Sequence, residues 1–408
     1  MARFAIVVSL FTSACFGTID GGGDPMMDDD PMMNPPPPTD VRINVHDSEG
    51  PIAGLAVVFL DANDAVAADI VTDAQGTAVA KLATGSVTVI RPGAAQPTMG
   101  TSGSVYTYVG VKAGDQLDLA LAPDRPSNPI TVNVTVPLTE NQTAVQITTP
   151  CGSGIGVPPT VAVTLDGCGT ETDFYVTELD GEQASFLKRA TIADPIDLST
   201  EIYRAALTST LSVTNAPADA SVAIEKRIET DLFRPVFSTG PLAVTPDQPI
   251  DVTVPDLPGT EELLFAGVSY QGAVQIVGSR DAYPGGPAVV DLSAAMIVAP
   301  SKPMLAGDTL TWTEQGSGAP DTVIATVQNE TVARHVAAPY AGASLKVPHL
   351  PAAHDAFNLK SGDTPSIALA KIGGGFDGVR ARVFAGPLAP MGGAATIAVT
   401  SLSTDPKP

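Results

Sequence analysis

The chain has 408 residues, with 44 acidic and 21 basic side chains and a net charge of −23. That balance excludes nucleic acid as a partner, because phosphates demand clustered Lys and Arg, and it opposes electrostatic adhesion to an anionic membrane. Abundant Val and Thr, 38 Gly, 37 Pro and only 16% charged residues predict short strands joined by many turns, and the length accommodates three or four domains of ~100 residues.

Residues 4–11 form an apolar run behind a single Arg3, too short for a bilayer, which takes ~20 apolar residues. With Thr12-Ser13-Ala14-Cys15 after it, the run reads as an export signal over residues 1–14. The pattern resembles the start of bacterial lipoproteins: small residues precede a cysteine that takes the lipid, although Thr12 stands where Leu is usual. The resemblance implies a membrane partner reached through a lipid on Cys15, and a place in the bacterial cell envelope, at the outer membrane or cell surface. Residues 15–40 read as a disordered linker. Asp24-Pro25-Met26-Met27 recurs as Asp30-Pro31-Met32-Met33, followed by four prolines, with no core to bury.

The first folded unit is expected over residues 41–124. Val41, Ile43 and Val45 alternate with polar residues, residues 55–60 form a second strand, and Thr72-Asp73-Ala74-Gln75-Gly76 is a hairpin turn. Three pieces carry a resemblance here. Val45-x-Asp47-x-x-Gly50-Pro51-Ile52-x-Gly54-x-x-Val57 comes first, then Thr72-Asp73-x-x-Gly76, then Leu82-x-x-Gly85-x-Val87-x-Val89. Together they resemble the carboxypeptidase regulatory-like domain, which implies a prealbumin-like β-sandwich. Ala78 departs from that family's pattern, which prefers an aromatic after the turn.

Residues 128–207 read as a second sandwich of short strands with frequent turns. Its two cysteines, Cys151 and Cys168, lie in turn-rich settings and are expected to pair in an oxidising compartment, leaving Cys15 as the odd one. A Cys-based metal site there lacks further ligands. Residues 197–207 carry helix-capping residues, with Leu198, Ile202 and Ala205 on one face, and predict a short helix. Residues 208–300 and 301–408 read as two more sandwiches that repeat each other. Thr210-Leu211-Ser212-Val213-Thr214 matches Thr309-Leu310-Thr311-Trp312-Thr313, and Val254-Pro255-Asp256-Leu257-Pro258 matches Val347-Pro348-His349-Leu350-Pro351.

Catalytic patterns are weak. His46 and Glu49 have a zinc-ligand spacing without a third ligand. His349 and His354 lie five apart in a Pro-rich loop. Ser185 and Lys188 have a Ser-x-x-Lys spacing inside a strand rather than at a helix start. Residues 151–156 are Gly-rich without a Walker lysine. Tyr106 and Tyr108 share one strand face, and Trp312 sits in an alternating strand. These three are the ligand-binding candidates if they face outward; core packing is the commoner fate.

The sequence therefore predicts an all-β chain of tandem Ig-like or prealbumin-like sandwiches behind a disordered tether, with no cofactor, no metal and no catalytic centre. Surface structure or binding is the expected role, with a protein or glycan partner. A carbohydrate- or protein-binding adhesin, which needs an exposed patch, and an extracellular hydrolase, which needs a pocket of converging titratable groups, are the alternatives.

Overall fold

A computed structural model describes residues 40–47, 50–92, 103–121, 129–139, 143–179, 184–215, 220–228, 234–239, 242–245, 248–258, 260–270, 273–279, 288–291, 297–329, 331–371, 376–377 and 395–400. The expected signal over residues 1–14, Cys15 and all of the linker before Asp40 lie outside the described residues. Within them the protein is built almost wholly of strands, as its Val- and Thr-rich composition requires.

The first strands are β1 (Asp40–Asp47), β2 (Gly50–Pro51), β3 (Ala56–Asp61), β4 (Val66–Val71), β5 (Thr77–Lys81), β6 (Thr84–Pro92), β7 (Gly103–Lys112) and β8 (Gln116–Ala120). One layer forms around β1, which pairs antiparallel with β5 and parallel with β8. The other runs β4-β3-β6-β7. Val41, Ile43 and Val45 alternate inward from β1 onto Val57, Phe59, Val87 and Val89 of the facing layer, the period-two burial of a sandwich. Gly76 turns the chain into β5 at φ +69°, and a Cβ there would stand 2.3 Å from the Val45 carbonyl oxygen.

The same connectivity recurs. β9 (Ile130–Thr135), β10 (Val145–Thr149), β11 (Gly152–Gly156), β12 (Thr160–Leu165), β13 (Glu171–Glu178), β14 (Ser185–Thr191) and β15 (Ile196–Asp197) repeat all of the pairings among β1 and β3–β8 in order. A third round uses β16 (Leu207–Thr214), β17 (Ala220–Ile228), β18 (Arg234–Ser238), β19 (Leu242–Ala243), β20 (Ile250–Val254), β21 (Thr260–Tyr270), β22 (Ala273–Ser279) and β23 (Ala288–Asp291), with β19 as an addition on β17. The last round comprises β24 (Ala299–Ala306), β25 (Thr309–Gln315), β26 (Thr322–Gln328), β27 (Val332–Pro339), β28 (Ser344–Lys346), β29 (Thr364–Lys371) and β30 (Ala395–Thr400). Here β24 lies antiparallel beside β25, where the other rounds place a parallel closing strand. The paired words noted in the sequence fall in corresponding strands: residues 210–214 in β16 and 309–313 in β25, with Val254 ending β20 and Val347 following β28.

The sandwiches are not joined simply in chain order. β7 of the first round pairs in parallel with β27 of the last, and β30 of the last pairs antiparallel with β22 of the third. One 13-stranded sheet therefore runs from β18 at one end to β4 at the other. Large residues Val336, Ile367 and Leu369 face the core of the last sandwich, while the alternating Ala337, Ala368 and Ala370 face the core of the first. Beyond β3 the opposite face of the sheet is closed by Leu350 and Phe357, which pack on Val58, Leu60, Ile90 and Val105. Phe357 ends a 3-10 helix, Ala352–Phe357.

The second round keeps its strands in one seven-stranded sheet, because β11 also pairs with β12. The Gly-rich run in β11 makes this possible. A Cβ on Gly152 would lie 2.0 Å from the Thr164 carbonyl oxygen, and one on Gly154 would lie 2.2 Å from that of Ala162. Cys151, at the start of this run, is disulfide-bonded to Cys168 with a Cα–Cα separation of 5.4 Å. The crosslink closes the turn that leads out of β12.

The helix predicted over residues 197–207 is not formed. Asp197 accepts the Ser199 amide hydrogen at 3.0 Å in a local turn, the Leu198 amide bonds Thr135, and Arg204 exchanges backbone hydrogen bonds with Ser185. Leu198 is buried, but Ile202, which the helical face would have turned inward, is 82% exposed. Sheet partners on both sides override the capping signal.

Gly154→Ala should lower the unfolding free energy by about 1–3 kcal/mol, the usual cost of forcing atoms into a packed contact. Ser153→Ala, on the exposed side of the same strand, should stay within about 0.5 kcal/mol of the wild type. Urea midpoints of the two variants check this, and equal midpoints would contradict the close approach.

Candidate functional site

The aromatic candidates are interior. Tyr108 points into the first core and donates its hydroxyl hydrogen to the Asp118 carbonyl at 2.9 Å. Complete burial raises its pKa well above the ordinary tyrosine value. Tyr106, two residues back on β7, packs in the same core and stacks on His335 of β27, with ring centroids 5.1 Å apart. Trp312 lies in the last core, and its indole N–H donates to Glu314 at 2.8 Å. The same carboxylate accepts the Tyr340 hydroxyl at 2.9 Å. None of the three candidates offers an outward stacking face: all three take the core packing that is the commoner fate of strand aromatics, so the conditional binding strip is not formed.

The four histidines do not converge. His46 bonds Asp118 at 3.1 Å, and that hydrogen bond raises its pKa against an opposing effect of burial. His349 is held between Asp308 at 3.0 Å and Asn358 at 3.1 Å, and His354 meets both oxygens of Asp69 at 3.1 Å. His335 touches the Thr326 hydroxyl at 3.3 Å. Glu49, the suggested companion of His46, lies outside the described residues. Ser185 and Lys188 sit an odd number of residues apart on β14 and so point to opposite faces. The serine hydroxyl reaches the Asp256 carbonyl, while Lys188 pairs with Glu201 at 2.7 Å. Among the described residues, no cluster of three or more His, Cys, Asp or Glu could hold a metal ion.

What the sequence did not reveal is the seam between the first and last sandwiches, where polar chemistry concentrates. Arg334 of β27 is buried and donates from Nη2 to the Pro348 carbonyl at 2.6 Å, while its Nε and Nη1 find no hydrogen-bond partner among the described residues. Burial lowers its pKa to about 10, with the charges of Asp308 and Asp64 acting in the opposite direction, so the guanidinium remains charged at neutral pH. Lys346 pairs with Asp64 across the same seam, and His354 of the 3-10 helix pairs with Asp69 of β4. Asn358 fastens the covering segment through reciprocal hydrogen bonds with the Leu350 backbone at 2.7 and 3.0 Å. The adjacent Arg334 and His335 inside the otherwise apolar β27 were the signal available in the sequence.

No family model matches the chain, and no curated protein matches it. Among solved structures it is similar to one described as the Bacillus anthracis TIE protein, at 12% identity over 62% of this chain and 50% of that one, with a TM-score of 0.19. The chain thus spans half the length of that protein. A second similarity is to a Ca2+-stabilized adhesin by which an Antarctic bacterium binds ice, at 11% identity over 82% of this chain and 94% of that one, with a TM-score of 0.13.

The seam carries a pH dependence. Burial lowers the His335 pKa from 6.5 to about 4. The unfolded chain therefore binds the extra proton first as pH falls through 6.5, and stability drops until pH reaches about 4. His46, whose pKa is raised, works in the opposite direction: its contribution is present below 6.5 and lost as pH rises. His335→Gln should flatten the acid limb of the stability curve, removing up to about 3 kcal/mol of the stability lost between those limits. Urea titrations of both proteins across that range check the sign.

Proposed function

We propose that this protein is a non-catalytic cell-envelope lipoprotein, held to its membrane through Cys15, that displays a fused set of β-sandwiches at the surface for structure or binding. One observation carries the reading. The chain uses its length to repeat a single sandwich connectivity and to fuse three of the four copies through one sheet. The aromatic and histidine side chains that could have made a site are instead spent within cores and separate pairs.

On this reading the lipid anchors the protein and the residues before Asp40 act as a tether. The first sandwich serves as a display module, in keeping with the accessory role of the carboxypeptidase regulatory-like domains it resembles. The Cys151–Cys168 disulfide fits an exported protein, since such bonds persist in oxidising compartments.

Cys15→Ser tests the anchor. In membrane fractionation of the producing bacterium, the variant should move from the membrane to the soluble fraction while the wild type stays bound. Metabolic labelling with a radioactive fatty acid should mark only the wild type. A variant that remains membrane-bound and labelled would overturn the proposal.

A further inference from the structure

We infer that the first sandwich is a load-bearing clamp: force that enters the chain at the start of β1 and leaves at the end of β8 is taken in shear by the parallel pairing of those two strands. The use of such a clamp rests on the N-terminal tether proposed above, while its mechanics do not depend on the lipid.

The chain enters the first sandwich through β1 and leaves it for the second through β8. The two strands lie side by side and parallel, in register from Arg42 with Gln116 to His46 with Ala120. The contact runs past that register at both ends. The Gly114 amide donates to the Asp40 carbonyl at 3.3 Å, the Arg42 amide to that of Asp115 at 3.0 Å, and the Leu121 amide to that of His46 at 2.8 Å. On the inward side Ile43, Val45, Leu117, Leu119 and Leu121 are at most 1% exposed, so water cannot compete for the bonds from that side. On the outward side the His46 imidazole bonds Asp118 at 3.1 Å, a side-chain bridge across the same two strands.

Geometry decides how these bonds meet a load. Because the strands are parallel, the start of β1 and the end of β8 lie at opposite ends of the sandwich. Pulling those two points apart slides one strand along the other, so every bond between them is strained at once. Pulling the start of β1 away from the end of β5, its antiparallel neighbour, acts on two points at the same end, where Asp40 faces Lys81. There the bonds open one after another, and each alone is a modest barrier.

The arrangement recurs. In the second round the entering strand β9 is parallel to the leaving strand β15, and in the third β16 is parallel to β23. Static stability does not call for this, since parallel pairing is slightly weaker per residue than antiparallel, and the last round places the antiparallel β24 beside β25 instead. What parallel entry and exit strands add is resistance along the backbone. Among the described residues the first of these pairings is the longest. The second matches only Ile196 with Val134 and Asp197 with Thr135, and the third runs from Leu211 with Ala288 to Thr214 with Asp291. The longest clamp therefore sits where the tether joins.

Single-molecule force spectroscopy of the full-length chain in a Cys15→Ser background tests the clamp in two pulling directions. Handles on Asp40→Cys and Asp124→Cys, the latter in the chain that leaves β8, load β1 against β8 in shear. Handles on Asp40→Cys and Ala83→Cys, just past the end of β5, peel the same strand away. Equal thermal midpoints of the two handle pairs show that both report on one fold. At one loading rate, rupture should need at least about twofold more force in shear, because forced unfolding reports an unfolding rate and not the equilibrium stability. His46→Ala should lower the shear force and leave the peeling force unchanged, since peeling starts at Asp40, the far end of β1. Equal forces in the two directions would overturn the inference, as would a His46→Ala variant that lowers both forces alike. The protein pulled carries no lipid, so a failed clamp and a failed anchor are read separately.

Discussion

The parallel pairing of β7 with β27 is the constraint on which the rest of the architecture depends. Two strands far apart in sequence become neighbours in one sheet, so the first and last sandwiches share a layer instead of hanging from opposite ends of the chain. The consequence is burial on both faces. The last sandwich must turn small side chains, Ala337, Ala368 and Ala370, toward the first core while keeping Val336, Ile367 and Leu369 for its own. The first must cover Val58, Leu60, Ile90 and Val105, which a lone sandwich would leave wet, and the segment bearing Leu350 and Phe357 does so.

Seen from the sequence, the strands were plain and the seam was not. Period-two alternation located β1, β9 and β25, because a half-buried strand writes its environment into every second residue. The continuous apolar run over residues 55–60 also said more than "strand": an uninterrupted run is the mark of a strand covered on both sides. What it could not say is what covers the second side, since the partner lies some 290 residues later in the chain, in the segment around Leu350. The alternation of Ala with Leu and Ile over residues 367–370 carried the complementary half of the message. Small residues on one face allow a second layer to approach.

The misread and unassigned pieces have a common cause. Residues 197–207 hold good capping groups and a plausible apolar face, yet Leu198 and Arg204 are claimed by backbone partners on β9 and β14, and local propensity yields to nonlocal pairing. The sequence sets residues 151–156 aside as a phosphate loop for want of a lysine and leaves their glycines without a role. Those glycines, at alternate positions, are the footprint of one strand pressed against another. Tyr106 and Tyr108 share a face as expected, and which face of the sandwich is the inner one is left open by the sequence window.

Arg334 shows how a seam of this kind is made specific as well as stable. The Val and Ala contacts between β7 and β27 would tolerate a shifted register more readily than the Tyr106–His335 stack does. A buried guanidinium does not tolerate one. It must keep its donor on the Pro348 carbonyl, and the charges of Asp64 and Asp308 reach it from the first and last sandwiches respectively. Any slip that carries Arg334 away from these partners leaves a buried cation uncompensated, a far larger penalty than a misplaced methyl group. Two of its donors make no hydrogen bond even in this register, so its contribution to net stability is modest. Its effect lies in the alternatives it disfavours: its hydrogen bond to Pro348 holds the covering segment against β27, and the charges of Asp64 and Asp308 favour the arrangement that keeps the guanidinium near them.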